Sequence, residues 1–327
     1  MTAHDTDSSV AQVREVWPAL PYEAWKDTCT ALHLWTQIVG KVRVAQTPWL
    51  NHSWHVPLYV NARGLTTGPV THGPRTFDIT FDLVDHVLSL RTSDGAERRI
   101  KLRAQSVADF YTCVMDALEA LEVPVDINTR PNEVPHPVPF PEDHVVRPYD
   151  ANAAHDFWRA LTQVDRVFCE FRTGFLGKCS PVHFFWGSFD LAVTRFSGRS
   201  APVHPGGLPG LPDAVTRDAY SHELSSAGFW PGGNGMEEAA FYSYAYPEPG
   251  GYRAADVQPA EAYFEPKLGE FILPYDVVRT AADPDRTLED FLHSTYEAAA
   301  NLGHWARDQL ESAEGRVRIP RQVRSGG

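Results

Sequence analysis

Cysteine is scarce in this chain, and positive charge is in deficit. Four of 327 residues are cysteines (Cys29, Cys113, Cys169 and Cys179), and none stands in CxxC or any other ligand spacing. A cysteine-bound zinc site and a disulfide scaffold are both disfavoured, and reduced thiols in a cytoplasm are the simplest expectation. Lys and Arg number 29 against 42 Asp and Glu, a net charge of −13 spread along the chain. Such a balance disfavours phosphate backbones and anionic membranes, so neither nucleic acid nor membrane is expected as a partner. No apolar run approaches the ~20 residues that span a bilayer. The opening Met1-Thr-Ala-His-Asp-Thr-Asp-Ser-Ser lacks the basic and apolar regions of a signal peptide. HExxH, GxSxG, GxGxxG and GxxxxGK[ST] are missing too, so no nucleotide-cofactor or serine-hydrolase motif is present.

What is there is enough apolar material for a sizeable core, 43% hydrophobic and 12% aromatic. It is arranged with an internal echo. Asp109, Phe110, Ala117 and Leu121 recur as Asp290, Phe291, Ala298 and Leu302 at a constant offset of 181, with Ser106 and Thr287 as matching expected N-caps. Upstream, Gly40-Lys41, His52, Trp54 and Arg63 recur as Gly177-Lys178, His183, Trp186 and Arg195. Two related units predict packing about a pseudo-twofold axis with a cleft between them.

Periodicity fills in the units. Trp25, Leu32, Trp35, Ile38 and Val39 predict a helix over about residues 22–44. Alternation predicts strands at residues 54–62, 77–81, 88–90 and 100–102, with turns at Asp85-His86 and Ser93-Asp-Gly95, then a helix capped by Ser106. Prolines 131, 135, 137, 139, 141 and 148 mark a stiff connector. A third helix over about 150–175 follows and opens the second unit, then one long strand over 180–196, strands near 220–226, 239–246 and 261–273, and a closing helix over 286–302. The expectation is an α+β protein of two helix–antiparallel strands–helix units, with a saddle-like sheet and helices on one face. Its boundaries are a disordered start at 1–15, a first repeat at 16–123, a connector at 124–149, an elaborated second repeat at 150–305 and a tail at 306–327.

The second repeat carries the polar residues and the long Gly/Pro loops where function concentrates. Asp190 lies in a segment apolar on both faces and must be paired or hydrogen-bonded there. His183 has a counterpart, His52, in the first repeat. Tyr220-Ser-His222-Glu223 adds an imidazole beside a carboxylate. His183, His222, Asp190 and Glu223 are therefore the candidate catalytic groups. Trp186, Tyr220, Trp230, Tyr242, Arg195 and Tyr275 are candidate substrate contacts. His183, His222 and Glu223 would suit one Zn²⁺ or non-haem iron ion with an open position, although none of the tight metal spacings is present. Without metal the same groups could act as general acid and base. A structural salt bridge for Asp190 and core roles for the histidines compete with each of these readings.

The segments Trp17-Pro-Ala-Leu-Pro, Leu34-Trp-Thr-Gln-Ile-Val-Gly-Lys41, Pro57-Leu-Tyr-Val60 with Arg63-Gly-Leu-Thr-Thr67, residues 177–199, Tyr220-Ser-His-Glu223, Gly228-Phe-Trp-Pro-Gly232 and residues 269–275 resemble an uncharacterised bacterial domain-of-unknown-function family, family 5996. The resemblance covers nearly everything from Trp17 to Trp305. It implies a bacterial protein of the same duplicated design and carries no activity or catalytic residue with it. The functional expectation remains that of the residues: a cytoplasmic enzyme acting on a small, partly apolar molecule by His/carboxylate chemistry, with metal assistance as one version. The alternative is a non-catalytic small-ligand-binding or scaffold protein.

Overall fold

The computed structural model describes residues 15–233 and 236–321. The expected disordered start lies outside them except for Glu15, as does the end of the tail. Helix α1 (Tyr22–Gln46) opens the fold behind Pro21, and every residue from Ala31 to Arg43 is buried. A helix covered on all sides belongs in the middle of a protein. Trp25 stacks on Phe157, Trp35 stacks on Phe110, and Gly40 lies so close to Trp186 that a Cβ would overlap the indole.

The first sheet follows: β1 (Tyr59–Asn61), β2 (Gly64–Thr66), β3 (Val70–His72), β4 (Arg75–Asp82), β5 (Val87–Thr92) and β6 (Glu97–Lys101). All pairs are antiparallel in the order β1-β2-β4-β5-β6, and β3 pairs a further stretch of β4. The expected four-strand meander therefore has six strands. Residues 54–56 of the expected first strand belong to a turn instead, because a 3-10 turn over Asn51–Ser53 with left-handed His52 and Ser53 carries the chain around first. Helix α2 (Val107–Ala120) is capped as expected, with Ser106 Oγ accepting from the Asp109 amide at 3.0 Å.

The connector runs without strand to α3 (Ala151–Thr173), capped by Asp150. The second sheet is β7 (His183–Phe185), β8 (Asp190–Ser200), β9 (His222–Trp230), β10 (Ala240–Tyr246), β11 (Tyr263–Glu265) and β12 (Glu270–Pro274), in the order β11-β12-β10-β9-β8-β7. α4 (Asp213–Ala219) precedes β9. α5 (Tyr275–Arg279), α6 (Pro284–Leu302) and α7 (Arg307–Leu310) end the chain. The long strand expected over 180–196 is a hairpin instead. Its turn contains Gly187 and left-handed Phe189, and apolar cover on both faces had disguised the break. Thr287 is not a cap: α6 starts earlier, and Asp283 accepts from the Arg286 amide.

Both sheets are mixed with helix in an α+β arrangement. They meet edge to edge where Leu58 and Phe184 exchange two backbone hydrogen bonds of 2.8 Å, making an antiparallel bridge. On β8, β9 and β10 the residues Leu191, Val193, Phe229, Ala227 and Phe241 share one face and supply its buried apolar packing. On that side Phe168 of α3 and Phe241 meet at 6.5 Å, and Tyr296 of α6 meets Arg195. The other face carries Asp190, Thr194, Ser226, Tyr242 and Tyr244 in alternate positions. That polar face is the unusual surface of the molecule.

Candidate functional site

Asp190 starts β8 and is fully buried, without a cationic partner among the described residues. Ser188 donates a hydrogen bond to Oδ1 and Tyr242 to Oδ2. Burial pushes its carboxyl up to about 6, although both hydroxyls oppose the rise. Register explains why Tyr242 arrives: Tyr242 pairs with Gly228, and Gly228 with Ala192, two residues along β8 from Asp190. Gly228 leaves room for the phenol to cross, since a Cβ there would overlap the Tyr242 hydroxyl. Trp230 packs on Tyr242 at 4.3 Å between ring centroids, and Tyr244 stacks on its other side at 6.2 Å.

Two more carboxyls share this face. Glu270, at the start of β12, is pushed up to about 8 by burial and then by the charge of Asp190. Its Oε2 is buried and has no hydrogen-bond partner among the described residues. Glu133 comes from the connector and rises to about 7, from burial and again from Asp190. It fits against Gly187, where any side chain would collide with its carboxyl. The Tyr220 phenol lies among the three, raised first by burial and then by the charges of Glu270, Asp190 and Glu133. Its hydroxyl meets that of Tyr244 at 3.1 Å. Thr194 and Ser226 continue the polar row at 2.9 Å.

The connector closes over this cluster. Asn132 donates its backbone N–H to Gln37 Oε1 at 2.7 Å and accepts from Gln37 Nε2 at 2.8 Å. Its side chain accepts from Lys41 at 2.5 Å and donates to the Gly210 carbonyl at 2.9 Å. Lys41 is itself lowered to about 8 by burial. Two open cavities lie elsewhere. One of about 150 Å³ is bounded by Glu223, Tyr246, Pro247 and Trp305, and one of about 360 Å³ by Arg253, Asp256, Tyr263 and Phe264. Neither reaches Asp190.

The chain matches, over residues 17–312, the model of a family of unknown function, DUF5996. It belongs to DUF5996. No curated protein and no solved structure matches it.

Of the residues singled out from the sequence, Asp190, Tyr220, Trp230 and Tyr242 come together. His183 and His222 do not. His183 sits on edge strand β7 in the row of Ala192 and Gly228, while His222 is six residues up β9 from Gly228, about 20 Å away along the strand. His183 is fully buried beside Phe185, its Nδ1 lacks a partner, and burial with the charges of Arg43 and Arg172 lowers its pKa to about 3. Glu223 is ion-paired to Arg199 at 2.6 Å. The set His183, His222 and Glu223 is thus no ligand set, and no group of three or more His, Cys, Asp or Glu among the described residues could hold a metal ion.

Arg195 points to the opposite face, stacked on Phe171 at 3.4 Å and Tyr296 at 4.4 Å. Trp186 donates to the Val56 carbonyl at 2.9 Å, and Tyr275 to the Pro18 carbonyl at 2.8 Å. These three make packing contacts across chain segments. Sequence reasoning placed none of Glu133, Tyr244 and Glu270 in the site. The available signal was a lone carboxylate in a Pro-rich segment, Pro131-Asn-Glu-Val-Pro135. Among the described residues no helix is long and apolar enough to cross a membrane.

Proposed function

We propose that this protein is an enzyme that acts on a small, partly apolar molecule by carboxyl–phenol acid–base chemistry at Asp190, Glu270 and Glu133. The observation that carries the reading is the buried Oε2 of Glu270, without a hydrogen-bond partner among the described residues, beside two further carboxyls that make no ion pair among them. Native structures rarely leave such an oxygen unsatisfied without a reason, and a bound polar group is one. Carboxyls separated to about 6, 7 and 8 give a division of labour near neutral pH. Glu270 holds a proton and serves as the acid. Asp190 is ionised and, with its geometry fixed by Ser188 and Tyr242, serves as the base. Trp230 and the tyrosines supply the apolar walls. The ligand enters when the Asn132 segment lifts from Gln37, Lys41 and Gly210.

The same reading includes internal duplication. What supports it is the repeated order of helix, antiparallel sheet and helix, and the Leu58–Phe184 bridge at the seam. Of the two units the second supplies Asp190, Tyr220, Tyr242 and Glu270, and the connector adds Glu133.

The test is incubation of the full chain with pooled small apolar metabolites, followed by mass spectrometry of what is consumed. We expect at least one compound to disappear with the wild type and to persist with Asp190→Asn and Glu270→Gln. Consumption that is absent, or equal in all three proteins, overturns the enzymatic reading. Tight but unaltered binding would replace it with the non-catalytic ligand-binding one.

A further inference from the structure

A second polar cluster lies at the seam between the two sheet units, and the acid–base reading does not use it. Lys178 precedes β7, and its carbonyl accepts from the Phe196 amide at 3.0 Å. Phe196 is six residues along β8 from Asp190, about 20 Å at strand rise, so the two clusters are independent.

We propose that His52, Lys178 and His222 form a binding site for a small oxyanion, a carboxylate or a phosphate group. Lys178 Nζ donates to His52 Nε2 at 2.6 Å. The opposite nitrogen, His52 Nδ1, lies 3.0 Å from the Ala219 carbonyl, to which it must donate. That fixes the tautomer: His52 is neutral, its Nε2 accepts, and the ring holds the ammonium in one place. Burial, then the Lys178 charge, keeps His52 below its usual range, in keeping with a neutral ring.

The ammonium lies against two aromatic faces, 5.3 Å from the Trp54 ring and 5.1 Å from Phe196, which favours its charged form. Among the described residues no carboxylate stands within ion-pair distance of it. Burial holds the Lys178 pKa below its usual value, and the charge of Asp218 opposes that. Asp218 is already engaged: its Oδ2 accepts from the His52 amide at 2.9 Å and from Trp49 Nε1 at 3.2 Å. One of the three ammonium N–H groups is used on His52, and two are left for a ligand.

His222 supplies the other wall. Its ring stands edge-on to His52 at 5.6 Å, and its Nδ1 donates to Ser221 Oγ at 3.1 Å, whose own proton goes to the Asp218 carbonyl at 2.8 Å. In the neutral ring Nε2 is then an acceptor, suited to a ligand O–H such as that of hydrogen phosphate. The backbone is bent to make this arrangement. His52 adopts φ 57° and ψ 24°, and Ser53 φ 58°, in a region costly for residues with a side chain. A half-buried ammonium without a carboxylate, in a chain of net charge −13, is a place for an anion from outside the chain.

The test is calorimetric titration of the full chain with sodium benzoate and, separately, with inorganic phosphate. Lys178→Met keeps the aliphatic stem and removes the charge; His222→Gln removes the second wall. We expect saturable binding of one or both probes, weakened at least about tenfold by Lys178→Met. It should also weaken with His222→Gln and with added sodium chloride. Benzoate binding alone would name a carboxylate as the ligand chemistry, and phosphate binding alone a phosphate. In the wild-type protein the bound probe should slow acetylation of Lys178 relative to Lys26, which decides the matter even if Lys178→Met fails to fold. Asp190→Asn should bind as the wild type does, which separates this site from the carboxyl cluster. Absence of binding by both probes, binding unaffected by Lys178→Met, or Lys178 acetylation indifferent to the probe overturns the proposal.

Discussion

Replacing Asp190 by Asn should make the protein more stable relative to wild type as pH rises, the reverse of what removing an ion-paired aspartate does. Asp190 has no cation, and burial lifts its carboxyl from 3.8 to about 6. A group whose pKa is raised in the folded state favours folding fully below its unfolded value, and that contribution is lost as pH climbs through the folded value. The window is therefore about pH 4 to 6. A rise of this size corresponds to about 3 kcal/mol lost by the wild type across it. Asparagine keeps an oxygen for Tyr242 or Ser188 and cannot ionise, so the variant escapes the loss. It also removes the charge that helps to raise Glu133 and Glu270. The assay is urea unfolding of both proteins at intervals from about pH 4 to 7, with the difference in stability plotted against pH. The difference should move towards the variant by about 3 kcal/mol over the window. Parallel curves would show that Asp190 is solvated or paired in solution, and the reasoning about the cluster would fail with it.

Three further outcomes follow from the same contacts. Gly228→Ala should push Tyr242 off Asp190, costing about 1–3 kcal/mol in urea melts and raising the Asp190 pKa further, because a donor that holds it down is gone. Arg195→Met should cost about 2–4 kcal/mol in the same assay, since a desolvated guanidinium stacked on Phe171 and Tyr296 is lost; an unchanged midpoint would contradict the stacking. His183→Leu should fall within about 1 kcal/mol of wild type near neutral pH, because it removes a buried nitrogen that has no partner. With a pKa lowered to about 3, His183 favours folding above its unfolded value of 6.5 and loses that contribution as pH falls. The variant should therefore resist acid better than wild type in unfolding curves taken below about pH 6.

Local signals carried much of the fold into the sequence. The periodicity of α1, the Ser106 cap and the turns at Asp85 and Ser93 act over a few residues, and each stands where the pattern puts it. Failures came where local and long-range effects look alike. Residues 183–196 are apolar on both faces, whether as one strand or as a hairpin covered by α1 and α3, so alternation could not reveal the turn at Gly187 and Phe189. Thr287 matched Ser106 in the echo, yet Asp283 starts the helix a turn earlier. The carboxyl cluster was half legible. Asp190 stands out as a charge in an apolar strand, and Tyr220, Trp230 and Tyr242 lie on neighbouring strands. Glu133 belongs to a connector nearly sixty residues upstream, and only the Gln37–Asn132–Gly210 contacts bring it in. His183 and His222 looked like partners because both lie in the elaborated half, but strand register keeps them apart.

The central claim is that three carboxyl groups near Tyr220 hold or release their protons around neutral pH because they are buried together. A carbon-13 NMR titration of the side-chain carboxyls of the full chain, with Asp and Glu labelled, measures this directly. Four carboxyls should titrate well above the usual range: Asp165, buried away from the cluster, and Asp190 near 6, Glu133 near 7 and Glu270 near 8. In Asp190→Asn the Asp190 signal should be missing, the two glutamates displaced downward and Asp165 unmoved. A spectrum in which no carboxyl that responds to Asp190→Asn titrates above about pH 5 would contradict it.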